Sequence, residues 1–365
     1  MIYLGATSLD MRYLFLLLLI AAPLAAQPSP DYIYVCSQNA ALVTVFDTET
    51  FEPADTVDVA ALGFGKNAKP HHVAVEPEGE FWYLSLIGAN RVLKFNRENE
   101  LLGQVEVETP GMLKASAQVD YVYAARSISA VNPPSSIMLI DREAMEIEEE
   151  IDVLFPRPHA MQSTPHGMYT YTASLTRNQM AIIGTQTNEV ELQDIPGSLH
   201  TIVQFGTSPN ALQMIGTGQT SGQVLFWNLE GTPDRPEFVD SVYVGGQPWH
   251  AMFEPDGAFV YVPQNAGDAV TVIDAHTREV LAKVEHEALR QPYDAVFRPD
   301  GRYAFVSANN LRGDYKPNSW NGEHPGLVVV IDTQTHEVVK VLEVGPNATG
   351  IGVRKPVSQD FFAPY

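Results

Sequence analysis

Cysteine is all but missing from this chain. Cys36 stands alone in 365 residues, so no internal disulfide can form and no Cys-x-x-Cys pair is available for a metal or for haem attachment. Basic residues are scarce too: Lys and Arg number 22 against 44 Asp and Glu, a formal charge of −22. They form no cluster, and an anionic surface without a basic groove repels phosphate backbones, so nucleic acid is not an expected partner. There is no Gly-x-Ser-x-Gly elbow, no His-Glu-x-x-His helix and no Gly-rich phosphate loop. No catalytic residue is therefore assigned. The long apolar run lies in MRYLFLLLLIAAPLAA at 11–26. It is short for a membrane span and is followed at once by polar sequence, the layout of a secretory leader. Cleavage is expected after Ala26, with Met11 as an alternative start, leaving 27–365 as a single exported domain, secreted or periplasmic and monomeric. A content of 45% hydrophobic and only 18% charged residues fits a globular core rather than disorder.

What is present is a repeat. A short apolar strand ending in a polar turn recurs seven times: VTVFDTET (43–50), VLKFNREN (92–99), IMLIDREA (137–144), MAIIGTQT (180–187), VLFWNLEG (224–231), VTVIDAHT (270–277) and VVVIDTQT (328–335). The turn-opening residues Asp47, Asn96, Asp141, Gly184, Asn228, Asp274 and Asp332 are spaced by 49, 45, 43, 44, 46 and 58. That interval suits one four-stranded propeller blade per repeat, and the residues between show no 3.6-residue periodicity, which excludes helical repeats. Asp or Asn at such a turn accepts hydrogen bonds from backbone amides just beyond it.

A second unit precedes several of these turns. PHHVAVEPEGEFWYLSL (70–86), PHAMQSTPHGMYTYTAS (158–174), PWHAMFEPDGAFVYVPQ (248–264) and PYDAVFRPDGRYAFVSA (292–308) each read as strand, Pro-x-Gly turn and alternating aromatic strand, an antiparallel hairpin. Residues 110–126 and 202–217 are degenerate copies. DYIYVCSQ (31–38) lacks a first strand and NATGIGVR (347–354) lacks a second; pairing them would complete blade one and leave no open edge. The expected fold is thus all-β, a closed seven-bladed propeller. EIEEEIDV (146–153) reads as a solvated outer strand.

The stretch YVPQNAGDAVTVIDAHTREVLAKVEHE (261–287) resembles the YVTN-type repeat, and the mature chain is similar to YncE-like exported seven-bladed propellers. The resemblance implies fold and export, and implies no particular activity. More distantly the chain resembles the propeller of nitrous oxide reductase, which holds copper with histidines from several blades, and that of the d-haem nitrite reductase.

The histidines follow the repeat. Aligned on the strand-opening proline, His71 matches His159, while His72 matches His250 and Asp294. Blades one, three and five carry no histidine there. Imidazoles with a carboxylate can bind copper, zinc or iron, so His71, His72, His159, His250 and Asp294 are the candidate metal ligands of a redox or cofactor-binding protein. Against this, neighbours along a strand point to opposite sides, so His71 and His72 are not expected to share one metal, and architecture alone could bury both. By resemblance to propellers generally, the face carrying these residues is loop-rich. Trp249 and Tyr293 form an aromatic rim suited to a ring-shaped ligand. The longest spacing arises from NNLRGDYKPNSWNGEHPG (309–326), a loop placed to fold over the mouth, with Asp314, Lys316, Trp320 and His324 as contact residues. The primary expectation is a platform that holds a small ligand or a protein on this face without catalysis.

Overall fold

The computed structural model describes Met1 and residues 31–127, 132–317 and 323–354. The leader expected at 1–26, apart from Met1, and Trp320 in the long loop lie outside the described residues. Seven four-stranded antiparallel sheets form the ring. The innermost strands are Ala348–Arg354 in blade one, Pro70–Val75 in blade two, Leu113–Ala115 in blade three, Pro158–Ser163 in blade four, Ile202–Thr207 in blade five, Met252–Phe253 in blade six and Pro292–Phe297 in blade seven. A five-residue segment, Ala60–Phe64, is helical. Among the described residues no helix is long and apolar enough to cross a membrane.

The ring closes as the end sequences predict. Tyr32–Ser37 pairs with Leu42–Asp47 on one side and with Ala348–Arg354 on the other. Arg354 strengthens this seam: its guanidinium donates to the Arg97 carbonyl in blade two (2.8 Å) and lies 4.4 Å from the centre of the Tyr32 ring.

The hydrophobic core is divided into seven clusters, each shared by two successive blades. Between blades one and two, Trp82 stacks on Phe95 (centroids 4.2 Å apart) and meets Tyr34 of the neighbouring blade at 4.6 Å. Alternation puts each middle strand's side chains on both blade faces, so most middle-strand residues are buried. The fourth strands are half solvated: Ile147–Asp152 buries only Ile151, as expected for the acidic run.

The turn chemistry repeats. Asp47 Oδ1 accepts from the amides of Glu49 and Thr50 (both 2.9 Å), and Asp141, Asp274 and Asp332 do the same in their blades. A second repeated device has no motif. The residue leading into each innermost strand has a left-handed backbone: Lys69, Thr109, Arg157, Thr201, Gln247, Gln291 and Asn347, with φ between 42° and 63°. None is glycine, so ring packing holds a conformation that L-residues disfavour.

Candidate functional site

The innermost strands start at the loop-rich mouth, and there the register jumps. The pairing skips a residue between Pro70 and His72, between Pro158 and Ala160, and between Pro292 and Asp294. His71, His159 and Tyr293 are therefore the extra residues of β-bulges. A bulge breaks the strict alternation of side chains, which is why His71 and His72 both reach the axial cluster despite being adjacent.

Four imidazoles gather there. Ring centroids lie 6.5 Å apart for His72 and His250, 6.3 Å for His159 and His250, and 4.9 Å for His250 and Tyr293. Trp249 packs 5.2 Å from Tyr293, and His71 lies 6.3 Å from it. All four histidines are at least nine-tenths buried. Burial, with repulsion from neighbouring imidazoles as a secondary cause, lowers His71 to about 3 and His159 to about 4; burial also outweighs the attraction of Asp294 and lowers His72 to about 3. These three rings are neutral at neutral pH. Burial likewise raises the Tyr293 hydroxyl and the Cys36 thiol, leaving the lone cysteine an inert core residue.

Neutral rings have one donor and one acceptor nitrogen, and the partners decide which is which. The Leu113 amide donates to His72 Nδ1 (3.2 Å), so His72 keeps its proton on Nε2. Asn347 Nδ2 donates to Gln38 Oε1 (3.0 Å), which orients the Gln38 amide so that its Nε2 donates to His71 Nδ1 (3.1 Å). His71 thus also carries its proton on Nε2, and that buried atom has no partner. His159 is the reverse: its Nδ1 donates to the Val203 carbonyl (2.8 Å), leaving a lone pair on Nε2. His250 Nδ1 lies 3.3 Å from Asp294 Oδ2, too skewed for a hydrogen bond, and His250 Nε2 is buried without a partner. Asp294 accepts from the Ala295 amide (2.8 Å) and the Ile351 amide (3.2 Å). The cluster therefore offers N–H donors on His71 and His72 and an acceptor on His159, with both ring nitrogens of His250 unpartnered beside them.

This pattern fits a metal poorly. With these tautomers His71 and His72 present N–H groups rather than lone pairs, and the Asp294 carboxylate already accepts from two backbone amides, whereas a catalytic zinc ordinarily takes three protein ligands. Among the described residues no group of three His, Cys, Asp or Glu is arranged to hold a metal ion. The other residues expected at the mouth are separate in character. Asp314 is exposed and bonded to Arg312 Nε (2.9 Å), which also pairs with Asp268; Lys316 is exposed. The half-buried His324 ring fills the space beside Gly313, whose φ is +66°. His200, another mouth histidine, is tied up structurally, bonding Ser221 Oγ (2.9 Å) and the Pro196 carbonyl (2.8 Å). Sequence reasoning missed Gln38 and Asn347, which orient His71; ring closure alone brings them to it.

No protein-family profile matches the chain, and no curated protein matches it. Solved structures share its fold. Kuenenia stuttgartiensis hydrazine synthase aligns at 17% identity over 77% of this chain and 88% of that one, with a TM-score of 0.63. A candidate 6-phosphogluconolactonase from Bacteroides fragilis aligns at 14% identity over 89% and 98%, with a TM-score of 0.67. A functionally unknown protein from Desulfotomaculum acetoxidans aligns at 12% identity over 89% and 99%, with a TM-score of 0.69.

Proposed function

We propose that this chain is an exported, non-catalytic binding platform of the YVTN-repeat, YncE-like kind, and that its ligand site is the axial imidazole cluster. The observation that carries this reading is the set of buried imidazole nitrogens without partners, His71 Nε2 and both ring nitrogens of His250. Leaving such groups unsatisfied costs about 1–3 kcal/mol each, a cost that a ligand with its own donor and acceptor would offset. The ligand suited to these groups is small, polar and uncharged, with one flat face against Trp249 and Tyr293. Export rests on the leader at 11–26 and family membership on the turn motifs. The two structural neighbours named for an activity, a hydrazine synthase and a candidate 6-phosphogluconolactonase, differ in chemistry, so fold alone selects neither.

The competing reading is a copper, zinc or iron protein in redox service. Its support is His159, whose carbonyl-anchored Nδ1 is the arrangement that usually backs a metal-ligating imidazole. It requires His71 or His72 to exchange its Nδ1 partner.

One experiment separates the two. Purified protein is analysed for metals and screened by thermal shift against small polar metabolites and against Cu(II), Zn(II) and Fe(II). Stabilisation by a polar metabolite that disappears in His250→Ala supports the platform. Stoichiometric metal lost in His159→Ala and His250→Ala supports the rival. If neither class of ligand depends on His250, the axial site is not the binding site.

A further inference from the structure

The opposite face of the ring, formed by the Pro-x-Gly and Asp-x-x-Thr turns, carries a polar contact between blades that is complete in one place and incomplete in another. Between blades two and three, Glu76 opens the turn Glu-Pro-Glu-Gly and is buried. It accepts from the Tyr83 hydroxyl (2.6 Å) and pairs with Arg142 of the next blade (3.4 Å), which also bonds Asp120 (2.7 Å). The Lys94 ammonium sits 4.2 Å from the Phe81 ring beside it.

Blade six repeats this construction residue for residue. Glu254 opens Glu-Pro-Asp-Gly, and its amide bonds the Phe259 carbonyl as the Glu76 amide bonds that of Phe81. Tyr261 stands where Tyr83 stands, each pairing in register across its strand. The cations are missing. Val272 occupies the Lys94 register, and Thr333 follows Asp332 where Arg142 follows Asp141. The Tyr261 hydroxyl is taken by His336 Nδ1 (2.8 Å). Glu254 is 8% exposed, and its Oε2 has no partner. The basic residues nearby are engaged: Arg302 with Asp332 (2.6 Å) and Arg298 with Asp300 (2.7 Å). A cleft of about 890 Å³ opens at this point, lined by Glu254, Asp256, Phe259, Asp300, Thr333 and His336, and also by Arg302, whose charge is taken by Asp332.

We propose that this cleft between blades six and seven binds a guanidinium group, held by Glu254 as Glu76 holds Arg142 between blades two and three, with the Asp256 carboxylate of the same turn beside it. The planar fork matches two carboxylates and stacks on an aromatic wall such as Phe259. One blade pair supplies its cation from its own sequence, and the other takes it from outside. The group could belong to a free guanidinium compound or to an arginine side chain of a partner; the chemistry is shared.

The test is calorimetric titration of the full chain at pH 8 and low salt, because burial and the Asp256 carboxylate push Glu254 up to about 7 and the site must be ionised. Methylguanidinium, the tripeptide Gly-Arg-Gly and, as a control, Gly-Gln-Gly are the probes. Saturable one-site binding of the guanidinium probes is expected, and none of the control. Glu254→Gln should weaken it by at least ~10-fold, the worth of one hydrogen bond to a charged group. Thr333→Arg should abolish it by supplying the cation internally. A tripeptide that binds much more tightly than methylguanidinium identifies an arginine side chain as the source; equal affinities identify a free compound. Absence of saturable binding to wild type, or undiminished binding to a Glu254→Gln protein with unchanged near-ultraviolet dichroism, overturns the proposal.

Discussion

At the scale of single residues, burial is the force that sets the chemistry. His71, His72 and His159 fold as neutral rings and would take up protons near pH 6.5 once unfolded. Between their folded values of about 3 to 4 and 6.5, the unfolded chain binds more protons, so stability falls as pH drops through that window. Glu254 acts oppositely: its folded value of about 7 lies above its unfolded 4.5, so the folded state binds the extra proton and stability falls as pH rises between the two. Three histidines outweigh this one carboxyl below pH 6.5. Urea unfolding at intervals from pH 7 to 4.5 should show a net loss, and His159→Gln should flatten the slope by close to one proton, about 1.4 kcal/mol per pH unit. A slope unchanged by His159→Gln would mean that this ring is already charged in the fold.

Strands and turns form the next scale, and here local chemistry and tertiary constraint can be told apart. Asp274 is a local effect: the Thr277 amide donates to its carboxylate (2.7 Å) and, ahead of the opposing desolvation, holds its pKa below the ordinary value. Asp274→Ala is expected to cost about 1 kcal/mol, visible as a lower denaturation midpoint at pH 7, and the loss should shrink as pH falls below about 4, where the carboxylate of the unfolded chain protonates. The left-handed residue before each innermost strand is imposed from outside. Lys69, at φ 54°, is exposed, so substitution there tests backbone preference with little loss of packing. Lys69→Val should destabilise by about 1–2 kcal/mol, because a branched Cβ suits this region worst, while Lys69→Gly should be neutral or better. Comparison of the two midpoints decides it.

The whole molecule is a ring in which every blade leans on two neighbours. Trp82 stacks within its own blade and touches Tyr34 across the interface, so Trp82→Ala should lower stability by about 3–5 kcal/mol, measured by chemical denaturation. Removal of residues 348–365 deletes the innermost strand of blade one and bares one edge of Tyr32–Ser37; the expected product is aggregated or unfolded on size-exclusion chromatography. A monodisperse, folded truncation would show that closure contributes little.

Architecture was legible in the sequence because it rests on repetition. Seven polar turns at nearly even spacing, alternating apolar strands and two half-blades at the ends specify a closed ring through local rules alone, and each holds in the structure. The candidate site was legible only by residue type: the register of His71, His72, His159, His250 and Asp294 is visible in a line of text, but the bulge that turns two adjacent histidines toward one place is not. That bulge, the left-handed residue before it, the Asn347–Gln38 relay that decides the His71 proton and the unpartnered Oε2 of Glu254 all depend on neighbours remote in the chain. Turns and strand patterns are governed by residues a few positions apart, so sequence settles them; protonation and pairing at the axis are governed by which groups share a water-poor space, and only the closed ring decides that.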